Sequence, residues 1–156
     1  MHVNAGYRGE SSRAGWTTEA DLLDGTRTDP ERLREEISKP NTRFEILRDP
    51  EGRILASVHL VHESPSTCYL GMLTVRPTKQ GSGIGRRFLE HAEAVAREWG
   101  CTRIRMNVID LRAELIAYYK RRGYVQTGPA MPFHFDDPRM GVPKVHLQMV
   151  ELVKLV

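Results

Sequence analysis

The stretch Gln80-Gly81-Ser82-Gly83-Ile84-Gly85-Arg86-Arg87 decides the reading of this chain, because three glycines fall within five residues where the apolar rhythm changes. Upstream, residues 68–75 (CYLGMLTV) read as a strand. Downstream, Phe88, Ala92, Val95, Ala96 and Trp99 recur at helical spacing, and Gly100 supplies a C-terminal stop. A plain strand-to-helix connector needs one glycine at most. Three of them, among Arg76, Lys79, Arg86 and Arg87, point to backbone N–H groups that close around a phosphate, with a helix N-terminus behind them. Taken singly, each of those basic side chains is more simply a solvated surface charge.

Two familiar glycine motifs do not fit. A dinucleotide-binding turn reads Gly-x-Gly-x-x-Gly, and counting from Gly81 the last position is Arg86. No second strand–helix–strand half follows either. A P-loop ends in Gly-Lys-Ser/Thr, whereas this turn ends Gly85-Arg86-Arg87. A pyrophosphate-binding loop of another kind is left.

Outward from the glycines, the pattern alternates helix and strand. Asp29-Pro30-Glu31 opens a helix carrying Leu33 and Ile37 as an i, i+4 apolar pair, and Lys39-Pro40-Asn41 closes it. Residues 43–48, alternating with Phe44 and Ile46 on one side, and 54–63 read as two strands of a hairpin around Asp49-Pro50-Glu51-Gly52. Past the long helix, 102–109 alternates as a strand with Ile104, Met106 and Val108 on one face. A short helix over 113–122 groups Leu115, Ile116 and Tyr119, and Gly123 stops it. Strands over 124–127 and 145–155 follow, separated by a loop rich in Pro and Phe. The strand–helix–strand unit over 68–108 requires a parallel pair inside a mostly antiparallel set. The fold class is therefore α/β: a mixed sheet flanked by helices. Residues up to Asp29 show no sustained period, and a long irregular segment in a compact fold usually carries function.

Composition narrows the classes. The length of 156 residues suits one domain, and 40% hydrophobic with 28% charged residues is ordinary for a globular chain. The net charge of +3 admits an anionic ligand without the clustered excess typical of nucleic-acid binding. DNA binding through the arginines is the weakest of the functions considered. Two cysteines, Cys68 and Cys101, give neither a disulfide framework nor a metal cluster, and read as buried thiols of a reducing, cytoplasmic compartment. No apolar run is long enough for a membrane span, and the first residues are not those of a signal peptide. His59 and His62 are three apart on a strand and face opposite sides, and His134 and His146 lie far off, so no metal is expected.

At this point the chain resembles the GNAT N-acetyltransferases. Gln80-x-x-Gly83-x-Gly85 is similar to that family's Q/R-x-x-G-x-G/A motif, and it follows Leu73-Thr74-Val75-Arg76-Pro77, similar to the end of the family's central strand. Residues 117–124 (AYYKRRGY) resemble its Y-x-x-x-G-F/Y segment. The three pieces stand in the family's order, and the resemblance extends over about 43–128. The opening segment and residues 132–144 (PFHFDDPRMGVPK) look like an uncharacterised branch of it.

The resemblance implies a GNAT-type sheet whose central parallel strands splay apart into an acyl-CoA cleft. It implies acetyl-CoA as cosubstrate, its pyrophosphate on Gln80, Gly81, Ser82, Gly83, Ile84, Gly85 and Arg86, and its pantetheine arm along the backbone of Leu73 and Val75. A neutral amine would attack the thioester directly, a strand N–H would hold the oxyanion, and Tyr119 would protonate the leaving thiolate. Two departures stand out. Ala113 occupies a position where the family often has Asn. The central strand offers no Glu as general base, which leaves Glu63, Asp110 and Glu19 as candidates, each more simply structural or solvated. The segment Trp16-Thr17-Thr18-Glu19 is a candidate lining for the acceptor pocket, or a stabilising loop. The family's first strand is expected to be absent, which exposes a sheet edge and predicts a homodimer. The rival to an enzyme is a catalytically silent acyl-CoA-binding module.

Overall fold

A computed structural model describes residues 2–133 and 141–156. His134 and most of the segment that resembles an uncharacterised branch lie outside the described residues. The first element is helix α1 (His2–Tyr7), followed by a 3-10 turn (Glu10–Ala14) and a two-residue strand β1 (Leu23–Asp24). Helix α2 (Pro30–Ser38) leads into β2 (Thr42–Arg48), β3 (Ile54–Ser64) and β4 (Thr67–Val75). Then come α3 (Ile84–Glu98), β5 (Arg103–Ile109), α4 (Ala113–Lys120), β6 (Val125–Pro132), β7 (Val142–Pro143) and β8 (Gln148–Leu155). Six strands form one sheet in the order β2-β3-β4-β5-β8-β6, and β1 pairs with β7 in a separate ribbon. Among the described residues only β4 and β5 run parallel; the other pairs are antiparallel. The sheet is the mixed, mostly antiparallel one that the order of elements predicts, with β2 at one edge.

Local chemistry explains the boundaries. Asp29 caps α2 by accepting from the Arg32 N–H at 2.9 Å, and Pro30 takes the first turn, where its missing N–H costs nothing. In the β2–β3 turn, Asp49 accepts from the Arg53 N–H at 2.8 Å, and Gly52 takes φ 82°, a left-handed conformation that favours glycine. Helix α3 lies against β3, β4 and β5 with Leu89, Ala92, Val95 and Ala96 buried against Val58, Leu60, Ile104 and Leu152. Leu89, rather than its half-buried neighbour Phe88, is the largest fully buried side chain of that helix face.

Two apolar expectations are corrected. Ile37 is 60% exposed and Leu33 only half-buried, so α2 holds its place through capping and polar contacts, not through an apolar stripe. The alternation expected in β2 is also missing: Ile46 and Leu47 are both exposed, because this strand is an edge with little packed over its end. The irregular first segment proves to be a helix laid against β4, then a 3-10 turn and a strand of the small ribbon. Replacing Ile104 by Ala should lower unfolding free energy by about 2–5 kcal/mol, whereas Ile37→Ala should stay within about 0.5 kcal/mol. Urea titration of both variants checks the assignment of core and surface.

Candidate active site

The site begins where β4 and β5 stop pairing. Their register is Thr67–Arg103, Cys68–Ile104 and Tyr69–Arg105, with no pairing beyond. The register of β4 against β3 slips in the same region, between Ser57–Thr74 and His59–Gly71. At that slip Met72 takes φ 49°, the one non-glycine residue with positive φ among the described residues. A bulge of this kind bends a strand and re-aims its peptide groups. Arg76 N–H bonds back to Leu55 O on β3 at 2.8 Å, so the alternate residues Val75 and Leu73 turn their peptides the other way, into the gap. Both carbonyls are met there. Tyr7 Oη donates to Leu73 O at 3.2 Å, and Gln80 Nε2 donates to Val75 O at 3.2 Å.

A cleft of about 450 Å³ opens on this gap. Its floor is Leu73 and Val75, one wall is the turn of Gly81, Gly83 and Gly85 with Arg86, and the other is α4 with Tyr118 and Tyr119. Gly81 and Gly83 sit at φ 79° and 83°, and Gly83 precedes α3 without a side-chain cap. The first helical N–H to find a partner is Arg87, on Gly83 O at 3.1 Å. The N–H groups of the turn before it are the donors that any helix start leaves open. Gly85 is small for a different reason: a β-carbon there would stand 3.3 Å from Tyr118 Oη and 3.5 Å from Val75 Cγ2.

The expected phosphate residues divide. Gly81, Gly83, Gly85 and Arg86 line the cleft, as do Leu73, Val75 and Tyr119. Ser82 and Ile84 do not; Ser82 Oγ donates to Lys79 O at 2.5 Å. Gln80 lines it too, but its side chain works as a brace. It accepts from Trp16 N–H at 3.0 Å while donating to Val75 O, and so ties the opening segment to the strand and the turn. Arg76 turns away to Ile54 O.

A second, inner pocket of about 90 Å³, partly open, adjoins the gap against Tyr7, Glu19, Tyr69 and Arg112. Leu73, Leu115 and Tyr119 line both cavities. Tyr119 is buried, packs edge-on against Tyr118 and Tyr124 at 5.4 and 5.7 Å, and burial pushes its phenol well above the usual value of 10. The segment expected at the acceptor divides as well: Trp16 and Thr17 face the larger cleft, and Glu19 the inner pocket.

The three carboxylates proposed as base have other engagements. Asp110 Oδ1 accepts from Leu111 N–H and Gln148 N–H at 2.9 and 3.1 Å, and closes the end of β5. Glu63 forms a bidentate pair with Arg105 at 2.5 and 2.7 Å. Neither lines the two cavities. Glu19 does, but its two oxygens are taken by Arg8 Nε at 3.1 Å and Arg112 Nη1 at 3.0 Å, all three side chains being buried. Sequence reasoning missed Tyr7, Arg27, Arg112 and Tyr118. Only Tyr118 carried a signal, its place beside Tyr119.

The sequence matches the Acetyltransferase (GNAT) family over residues 13–124, and the chain belongs to that family. It is 28% identical over 100 residues to an IAA acetyltransferase of Azospirillum brasilense, covering 64% of this chain and 65% of that protein. It is 30% identical over 92 residues to a probable glucosamine 6-phosphate N-acetyltransferase 2 of rice (Oryza sativa subsp. japonica), covering 55% of this chain and 54% of that one. The chain thus spans less than two thirds of the length of these curated relatives. A GNAT family acetyltransferase from Elizabethkingia anophelis, solved with acetyl-CoA bound, shares the fold at TM-score 0.65 with 12% identity, over 82% of this chain and 84% of that one.

Because Glu19 joins two buried arginines, Glu19→Gln should cost about 3–5 kcal/mol of stability. Urea unfolding and activity measured together separate the roles. A stable but inactive variant would make Glu19 a base instead.

Proposed function

We propose that the chain, working as one domain over 1–156, is an N-acetyltransferase that moves an acetyl group from acetyl-CoA to an amine. One observation carries this reading: Tyr119 stands in the wall shared by the larger cleft and the inner pocket. The cleft suits the donor. Its glycine turn offers N–H groups to a pyrophosphate, and the Leu73 and Val75 peptides face an extended amide chain, which can add to them like a strand. The inner pocket suits the acceptor.

The amine nitrogen attacks the thioester carbon, a strand N–H near the Met72 bulge holds the developing oxyanion, and Tyr119 gives its proton to the departing sulfur. The same burial that raises the phenol also raises the basicity of a thiolate formed beside it, so the two stay matched. With Asp110 and Glu63 engaged elsewhere and Glu19 held by two arginines, the amine enters neutral, and the proton its nitrogen loses on becoming the amide passes through water and restores the Tyr119 phenol. That missing base is what favours the second reading, an acyl-CoA-binding module without turnover.

Tyr119→Phe should lower turnover roughly 10²- to 10⁴-fold and leave acetyl-CoA affinity unchanged. Thiol release in an amine screen, with acetyl-CoA binding measured beside it, checks this; unaltered turnover removes the acid role. Since burial raises this phenol above its ordinary value of 10, it stays protonated below that pH. The rate should therefore show no alkaline fall before pH 10 that Tyr119→Phe abolishes.

We carry a homodimer and a cytoplasmic setting as parts of the same reading. The β2 edge, with Ile46 and Leu47 exposed, is the place for a second chain to pair. Sedimentation should give twice the chain mass; a single-chain mass at working concentration would remove the dimer. No helix among the described residues is long and apolar enough to cross a membrane.

A further inference from the structure

Among the described residues, three arginines and one carboxylate line the inner pocket. Its charged lining residues are Arg8, Glu19, Arg27 and Arg112, and Glu19 already serves Arg8 and Arg112. Arg112 is further engaged, donating to Thr17 Oγ1 at 2.8 Å. On the far side, the pocket adjoins a groove of about 630 Å³ formed with β6, where Arg105 is held between Glu63 and Glu151 at 2.5 and 3.2 Å. Arg27 differs from all of these. It is the one charged residue that lines both the pocket and the groove, and it forms no ion pair among the described residues. Its guanidinium lies 5.5 Å from the centroid of the Tyr7 ring. A contact of this kind engages the cation and none of its N–H groups, which stay open to a ligand.

The backbone beneath Arg27 is fixed from elsewhere in the chain. Asn4 Oδ1 accepts from Arg27 N–H at 2.9 Å and from Thr28 N–H at 3.1 Å, while Asn4 Nδ2 donates to Thr28 O at 2.9 Å. One amide therefore sets the position of this loop. Around Arg27, the groove and pocket share Tyr69, Phe133 and Met149 with the one amide of Asn107, a largely apolar surface next to a cation. A half-buried arginine with no carboxylate partner among the described residues, on a pinned loop at the junction of two cavities, is arranged to meet an anion that arrives with a ligand.

We propose that Arg27 reads an acidic group on the acceptor, so that the preferred substrate is an amine that also carries a carboxylate or a phosphate. The amine enters the inner pocket toward the strand gap, and the acidic group stays behind at Arg27, where pocket and groove meet. The acetyl-transfer reading supplies the amine; the anion site itself rests on charge and geometry alone.

Two matched pairs test it: phenylalanine against phenylalaninamide, and phosphoethanolamine against ethanolamine. Binding is titrated calorimetrically without acetyl-CoA, and acetylation is followed by thiol release with it. The wild-type chain should favour the acidic member of at least one pair by about 10- to 100-fold, the worth of a charge-assisted bidentate contact. The pair that shows the preference identifies the carboxylate or the phosphate as the group read. Arg27→Gln should erase the preference, the acidic member of each pair falling to the level of its partner, and Arg27→Lys should keep part of it. Equal binding of acidic and neutral members in both pairs, or a preference that survives in Arg27→Gln, overturns the proposal. An Arg27-dependent preference in binding, with no thiol released from any amine, would sustain the anion site and sink acetyl transfer instead.

Discussion

The parting of β5 from β4 after Tyr69 and Arg105 is the constraint on which the rest of this molecule depends. Paired strands satisfy each other's peptide groups; parted strands must find other partners or leave them open. Here the open side of β4 is served by borrowed donors. Tyr7 reaches in from α1 to Leu73 O, and Gln80 reaches back from the glycine turn to Val75 O. The gap would otherwise expose a central strand to water. Instead it is framed by an N-terminal segment on one side and a helix start on the other, with two cavities meeting through it at Tyr119.

The gap also explains the placement of charge. The opening segment must lie across the parted strands, and two buried arginines from distant parts of the chain, Arg8 and Arg112, are held there by one shared carboxylate, Glu19. A buried triad of this sort adds little net stability over an apolar equivalent, but each member depends on the others. It locks the opening segment against α4 and sets the walls of the inner pocket. Glu19 is thus better understood as a structural joint than as a base, and Asp110 and Glu63 have similar structural duties at the ends of β5 and β3.

What the sequence disclosed, it disclosed through periodicity and local chemistry. The helix from Ile84, the hairpin at Asp49–Gly52 and the glycine turn each follow from a pattern in their own stretch, and the parallel crossover follows from the order of the elements. The resemblance to the GNAT family rested on the same local stretches. Tyr7, Arg27 and Arg112 were invisible because each acts at a distance: Tyr7 meets a carbonyl 66 residues away, and Arg112 a carboxylate 93 residues away. Nothing in their own surroundings marks them. Gln80 shows the opposite failure. Its motif position pointed to phosphate, whereas its side chain is spent joining Trp16 to Val75, a role visible only once the turn is folded.

The central claim is that the strand gap and glycine turn together form an acyl-CoA cleft. Calorimetric titration of the whole chain with acetyl-CoA tests it most directly, with NADH and ATP as controls and Gly83→Val as the altered turn. Gly83 holds φ 83°, a conformation that a β-branched side chain resists. The account predicts saturable binding of acetyl-CoA, weak or no binding of the two controls, and loss of acetyl-CoA binding in a folded Gly83→Val chain. Absent acetyl-CoA binding, or equal binding of all three nucleotides, would contradict it.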